Sequence, residues 1–257
     1  MAKKETKPVS DATLVTSLDT QRILLVDPSG SVQQITPENL RASVLDGVNL
    51  DAIFDNVFIL YHAADGDYPR FVKPFKWPSL QSGGEVASGI MIIEGGKALV
   101  VSPTEATGLY WSSAAISGGG VTTSDITTAI MDWQGKANTA SQVAASKADA
   151  ITNTASYAPG FCNLYTRPNG NGNGLTAGKW WLPSAGELSM IYANMLKINY
   201  AGSFIAGFEP LAEAAYWSST EYSAANAWNL LFNSGSLFRG TKSTLARRVR
   251  PVSALQL

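Results

Sequence analysis

The chain holds one histidine, His62, and one cysteine, Cys162, in 257 residues, and that scarcity bounds its chemistry. A multi-histidine zinc site cannot form within one subunit. His62 is read as a structural residue rather than the base of a Ser/His/Asp triad. Cys162 has no histidine near it in sequence and reads as a small buried hydrophobe. Glu187, Glu209, Glu213 and Glu221 could pair as the acid and base of a glycosidase, but helix capping and solvation account for them. The run Pro168-Asn-Gly-Asn-Gly-Asn-Gly174 neither follows a strand nor opens a helix, so it is a surface loop and not a phosphate cradle. Lectin-type calcium loops gather Asp, Asn and Glu oxygens, yet Trp228-Asn229 is followed by Leu230 with no carboxylate-rich run nearby. The expectation is a non-enzymatic protein with no catalytic residue, no metal and no cofactor.

Composition narrows the partners. Charged residues make up 15% and the formal net charge is -1, so neither a basic field for nucleic acid nor an acidic one for cationic partners is available. A hydrophobic content of 45% can build a sizeable core, and the single cysteine leaves packing or oligomerisation to support it. The Lys-rich start, Met1 to Lys7, leads into polar residues rather than an apolar leader. No stretch approaches the ~18 apolar residues that a membrane span requires. The expectation is synthesis in the cytosol without membrane insertion.

The elements follow from turn chemistry and periodicity. Arg22-Ile-Leu-Leu-Val26 and Ser31-Val-Gln-Gln-Ile35, joined across Pro28 and Gly30, predict a hairpin. Thr36 as N-cap and Pro37 at the first helical position predict a short helix to about Leu45. Asp51 to Tyr61 is apolar enough for a buried strand or helix. Pro69, Pro74, Pro78 and Gly83-Gly84 then interrupt regular structure, which places a boundary between modules 1–84 and 85–257. The second module opens with Gly89–Ile93 and Lys97–Val101 paired across Glu94-Gly-Gly96. Thr123–Asn138 and Thr139–Asn153 read as two helices, and Ser184–Leu196 as an amphipathic helix capped by Ser184 with Glu187. Ala215–Ser219, Ala227–Phe232, Leu237–Arg239 and Arg248–Val252 read as strands. The tetrapeptide Tyr110-Trp-Ser-Ser113 returns as Tyr216-Trp-Ser-Ser219, which predicts two strands meeting in one sheet. The class is α+β.

Four segments taken together carry a resemblance. Trp181-Leu-Pro-Ser-Ala-Gly-Glu-Leu188, Tyr216-Trp-Ser-Ser-Thr220, Ala227-Trp228 and Arg248-Val-Arg-Pro-Val252, in that order, resemble the C-type-lectin-like, formylglycine-generating-enzyme-related domains of variable proteins from diversity-generating retroelements. The resemblance covers about 85–257 and implies a variable region at about 222–247. In that family a reverse transcriptase miscopies template adenines, so that AAY codons become NNY and the encoded residues exclude Trp, Lys, Glu, Gln and Met. From Leu230 to Ala246 only Lys242 lies outside that set. The resemblance implies that Leu231, Ser236, Phe238, Arg239, Gly240, Thr241, Ser243 and Leu245 are diversified contact positions, with Ser223, Ala224, Asn229, Ser234 and Arg247 as further candidates. Phe238 and Arg239 would be the strongest anchors. Tyr216, Trp217, Trp228, Arg248, Val249 and Arg250 would be scaffold. The competing reading makes Leu231, Leu237 and Phe238 ordinary core residues of two strands.

Residues 1–84 carry a looser resemblance, at Val26-Asp-Pro-Ser-Gly30 and Ile35-Thr-Pro-Glu-Asn-Leu40, to segments near the start of phage tail-fibre proteins. It implies a small β-rich attachment module, a homotrimer, and avidity against a repetitive surface. The implied function is receptor binding at a phage tail-fibre tip, with other virion tail proteins on one side and a host-surface protein or glycan on the other. A cell-encoded adhesin of the same fold on the bacterial surface would be expected to carry a signal peptide or lipobox. An enzyme related to formylglycine-generating enzymes would need reactive cysteines or copper ligands, which one Cys and one His do not supply.

Overall fold

The computed structural model describes residues 56–65, 68–144 and 153–254, and in addition the two short strands 23–26 and 32–35. The chain divides into two units, Met1–Asp55 and Asn56–Leu257. In the first, β1 (Ile23–Val26) pairs antiparallel with β2 (Val32–Ile35) in the register Ile23↔Ile35 to Val26↔Val32. This is the hairpin expected from Pro28 and Gly30. The helix expected from Pro37 lies outside the described residues.

The second unit begins with β3 (Val57–His62) and β4 (Pro69–Val72), followed by a 3-10 turn and the short helix α1 (Trp77–Ser82). The expected boundary after residue 84 is corrected here. β3 pairs with β5 (Ala87–Glu94) from Val57↔Ile92 to Tyr61↔Ala87, so the boundary would cut through a sheet. The prolines that suggested a break occupy positions that tolerate them: Pro69 opens an edge strand, and Pro74 and Pro78 sit at the starts of helical turns, where no backbone N–H is needed. β5 turns into β6 (Lys97–Val101) through Gly95 and Gly96, whose φ values of 56° and 76° are the left-handed pair that a tight hairpin requires.

β7 (Ala106–Leu109) precedes a helical region that departs from the two expected helices. α2 (Ile126–Ile130) is capped by Asp125, whose carboxylate accepts from Thr127 N at 2.8 Å. It stops early because Asp132 Oδ1 accepts from Gln134 N at 2.9 Å, a local turn that competes with helix. α3 (Gly135–Ala144) then runs unbroken through the expected junction at 138/139. Its buried face carries Asn138, Thr139 and Gln142, and Gln142 Nε2 donates to Ser219 O at 2.7 Å. Part of the second expected helix, 145–152, lies outside the described residues. α4 (Ala158–Leu164) leads to the two-residue pair β8 (Arg167–Pro168) and β9 (Gly174–Leu175), which closes the expected Asn-Gly loop.

α5 (Ala185–Ala193) starts on a complete capping box between Ser184 and Glu187. It ends at Asn194, one turn short of expectation, and α6 (Met195–Gly202) follows at once. α5 is not amphipathic, because six of its nine residues are buried. The chain closes with β10 (Ala215–Glu221), β11 (Asn226–Leu231), β12 (Ser236–Thr241), β13 (Arg247–Val249) and β14 (Val252–Ala254).

Two five-stranded sheets result, ordered β12-β11-β10-β13-β7 and β14-β6-β5-β3-β4. The expected single strand Arg248–Val252 is split at Arg250-Pro251, so that β13 joins one sheet and β14 the other. Of the repeated tetrapeptides only Tyr216–Ser219 lies in a strand, whereas Tyr110–Ser113 follows the end of β7, so the expected pair of strands does not form. β13 separates β7 from β10, and Trp111 reaches β10 through its indole, donating to Ser218 O at 2.9 Å. The class is α+β. A large apolar cluster around Trp77, Ile90, Leu188 and Tyr216 fills the centre, with a second around Trp111, Cys162, Trp217 and Val249.

Candidate recognition face

β10, β11 and β12 form an antiparallel meander, and β12 is the edge of its sheet. The register Trp228↔Arg239, Asn229↔Phe238, Leu230↔Leu237 and Leu231↔Ser236 fixes which side chains share a face, since directly opposite residues of an antiparallel pair point the same way. One face carries Asn229, Leu231, Ser236, Phe238 and Gly240. The other carries Trp228, Leu230, Leu237 and Arg239. The candidate positions on β12 therefore do not form one surface: Ser236 and Phe238 look one way and Arg239 the other.

Burial separates them further. Ala224, Ser234, Ser236 and Arg239 are exposed, and Leu231, Phe238, Thr241, Ser243, Leu245, Ser223 and Arg247 are half-buried. Gly240 and Asn229 are buried, which corrects their placement among contact positions. A Cβ on Gly240 would lie 2.8 Å from both Asn229 Nδ2 and the Trp217 ring, so any side chain there displaces a buried indole. Asn229 Nδ2 donates to Phe238 O at 2.9 Å and ties the two strands together. Leu245 packs against the Trp111 and Trp217 cluster and Leu237 against the central core. Leu237 thus follows the competing core reading, and Leu245 departs from its expected contact role. Ser223 accepts from Asn226 N at 3.2 Å and closes the β10–β11 turn.

The frame behind β12 is tightly bonded. Tyr216, Trp217, Trp228, Val249 and Arg250 are buried, and Arg248 is half-buried. Trp217 Nε1 donates to Leu109 O at 3.0 Å and Trp228 Nε1 to Thr123 O at 2.9 Å. Glu105 gathers three groups. It pairs with Arg248, accepts from Tyr216 Oη at 2.8 Å, and has Arg250 Nε 3.2 Å away, too poorly aligned for a hydrogen bond. On the outer side, Arg239 stacks over Tyr222 with its guanidinium carbon 5.3 Å from the ring centroid, and Tyr222 packs edge-on to Trp228 at 5.1 Å.

One buried anchor has no counterpart among the contacts expected from the sequence. Glu221 and Lys242, at the ends of β10 and just past β12, form an ion pair of 2.5 Å with both side chains fully buried. Glu221 also accepts from Gly118 N at 2.9 Å and Gly120 N at 3.2 Å, and Lys242 donates to Ile116 O at 2.8 Å beneath the Trp111 ring. Burial pushes the Lys242 ammonium below its ordinary pKa, partly offset by Glu221. Lys242 is the one residue from Leu230 to Ala246 outside the set that the retroelement resemblance implies.

Residues read as chemically idle occupy structural places. Cys162 is buried, and burial pushes its thiol up. His62 Nδ1 lies 3.0 Å from Ser88 Oγ in a buried pair. Glu209 accepts from Glu105 N at 2.8 Å, and Glu213 is exposed. Among the described residues no group of three or more His, Cys, Asp or Glu could hold a metal ion, and no helix is long and apolar enough to cross a membrane.

No family model matches the chain, and none of the curated proteins does. A partial likeness exists to the crystal structure of a fimbrial protein from Bacteroides ovatus, with a TM-score of 0.45 and 17% identity over 61% of this chain and 35% of that one. The chain thus spans about a third of that protein's length, and a likeness of this degree decides neither fold family nor role.

Proposed function

We propose that this chain is a non-enzymatic receptor-binding protein, whose C-type-lectin-like domain displays exchangeable residues of a diversity-generating retroelement at a phage tail-fibre tip. One observation carries the reading. The edge strand β12 and its preceding turn hold exposed Ser234, Ser236 and Arg239 and half-buried Phe238 on a backbone pinned by Trp217, Trp228 and the Glu221–Lys242 pair. Such a frame permits side-chain exchange without backbone movement, which keeps the ordering cost of binding low. The exchangeable set favoured by burial is Ser234, Ser236, Phe238, Arg239 and Thr241, with Leu231 beside them and Ala224, Ser243 and Arg247 at the margin. The partner is a host-surface protein or glycan. A homotrimer supplies avidity and attaches through the N-terminal unit to other virion tail proteins.

The test is the DNA around the gene. A reverse-transcriptase gene with a near-copy of the segment encoding residues 222–247, differing only where the copy has adenine, is the expected finding. A copy differing at other bases, or no such gene and copy, overturns the retroelement reading. Purified protein should also block adsorption of the phage to its host, and failure to bind host cells at all overturns the receptor-binding role.

A further inference from the structure

Away from β12, a groove of about 690 Å³ opens beside β6, α3 and Trp181. It belongs to none of the elements that present the exchangeable positions. Its walls are apolar, with Leu99, Ala140 and Ala254 beside Trp133 and Trp181. Two exposed lysines hold their ammonium groups over those indoles, Lys97 4.8 Å from the Trp133 ring centroid and Lys136 5.9 Å from that of Trp181. Among the described residues neither lysine forms an ion pair. Glu187 also lines the groove and is only 6% exposed. Its Oε2 accepts from Trp181 Nε1 at 3.2 Å and Ser184 N at 2.8 Å, and neither bond uses Oε1.

We infer that this groove binds a small anion built on an apolar ring, the ring lying against Trp133 and Trp181 and the anionic group meeting Lys97 and Lys136. The volume falls within the ~300–1,000 Å³ of small-molecule pockets, which combine apolar walls with few polar groups. Charge selects among ligands of that size. A neutral ring leaves both ammonium groups without a new partner, whereas an anion gains charge-assisted hydrogen bonds from two donors already held in place. The walls select as well, because a sugar would press hydroxyls against Leu99, Ala140 and Ala254 without partners. Glu187 Oε1 offers one polar contact in the lining, for a ring substituent that can donate a hydrogen bond.

The probe is 1-naphthoate, titrated into the full chain by isothermal calorimetry, with 1-naphthamide and glucuronate as the neutral and sugar comparators. Saturable one-to-one binding of naphthoate is expected, at least tenfold tighter than either comparator. The surface double variant Lys97→Ala/Lys136→Ala should lower naphthoate affinity at least tenfold, to the level of the amide. Ala140→Leu, an exposed helical position in the groove wall, should weaken naphthoate and amide alike. Absence of naphthoate binding, equal affinity for the amide, tighter binding of glucuronate, or a double variant indistinguishable from the parent would each overturn the inference. None of these readouts depends on the display function.

Discussion

Replacing Lys242 by Met tests whether the end of β12 is held from behind by the buried ion pair. The substitution keeps an unbranched side chain under Trp111 but removes the ammonium that meets Glu221 at 2.5 Å with both groups fully buried. Glu221 is then a buried carboxylate without its cation, a change that costs about 3–5 kcal/mol in comparable pairs. Backbone N–H groups of Gly118 and Gly120 still donate to it, which places the expected loss near the lower end. Loss of the cation–π contact with Trp111, 4.1 Å to the centroid, adds about 0.5–2 kcal/mol. A loss of about 3.5–5 kcal/mol is therefore expected in urea denaturation at pH 7. The companion Glu221→Gln should also destabilise, and the double variant should lose at least about 2 kcal/mol less than the sum of the two, because the pair is coupled. A single-variant loss under about 1 kcal/mol, or additive losses, would refute the reasoning that this pair fixes β10 to the end of β12.

Three other expectations follow from burial and charge. Burial holds the Glu187 carboxyl up, from 4.5 to about 7. Between those values the folded chain binds more protons than the unfolded one, so its stability falls as pH rises, by about 3 kcal/mol in all at ~1.4 kcal/mol per pH unit. Glu187→Gln keeps an acceptor for Trp181 and Ser184 and should remove most of that slope; denaturation at pH 4 and pH 8 measures it, and a parental slope in the variant counts against the assignment. Gly240→Ala should cost about 1–3 kcal/mol through overpacking against Trp217, whereas Ser236→Ala and Arg239→Ala should stay within about 0.5 kcal/mol; thermal melts that fail to separate them refute the division between frame and display. Arg239→Ala and Phe238→Ala, on opposite sides of β12, should each weaken attachment to host cells at least tenfold with little change in melting temperature, as expected of an Arg and an aromatic anchor; unchanged attachment for either removes that residue from the contact set.

Local signals were legible in the sequence wherever a short segment decided its own structure. The Gly95-Gly96 hairpin, the Ser184 capping box and the strands at Tyr216 and Trp228 needed no distant partner to be read. Misreadings arose where tertiary contacts overrode local ones. Pro69, Pro74 and Pro78 suggested a boundary because their tolerated positions, at a sheet edge and at helix starts, are set by β3 pairing with a strand beyond them. Asp132 interrupts a helix-compatible run through one side chain, and Asn138 and Thr139 extend another by burying polar groups. Within the candidate face, strand alternation was readable, but the burial of Gly240 depends on Trp217 lying two strands away. The Glu221–Lys242 pair spans two turns and depends on the glycine loop at 118–120, which no local pattern announces.

The split of the final strands at Arg250-Pro251 makes the last described residues a fastener for the whole second unit. β13 joins β7 to β10 in the sheet that bears β12, and β14 pairs with β6 in the other sheet, so the segment translated just after β12 fastens both sheets. A frameshift or stop within 222–247 removes Arg248 and Arg250 from Glu105, removes Val252 from its pairing with Val101, and leaves sheet edges open to aggregation and proteolysis. Loss of the last strands therefore undoes both sheets at once, and chains cut short before Arg248 are expected to be cleared as unfolded protein.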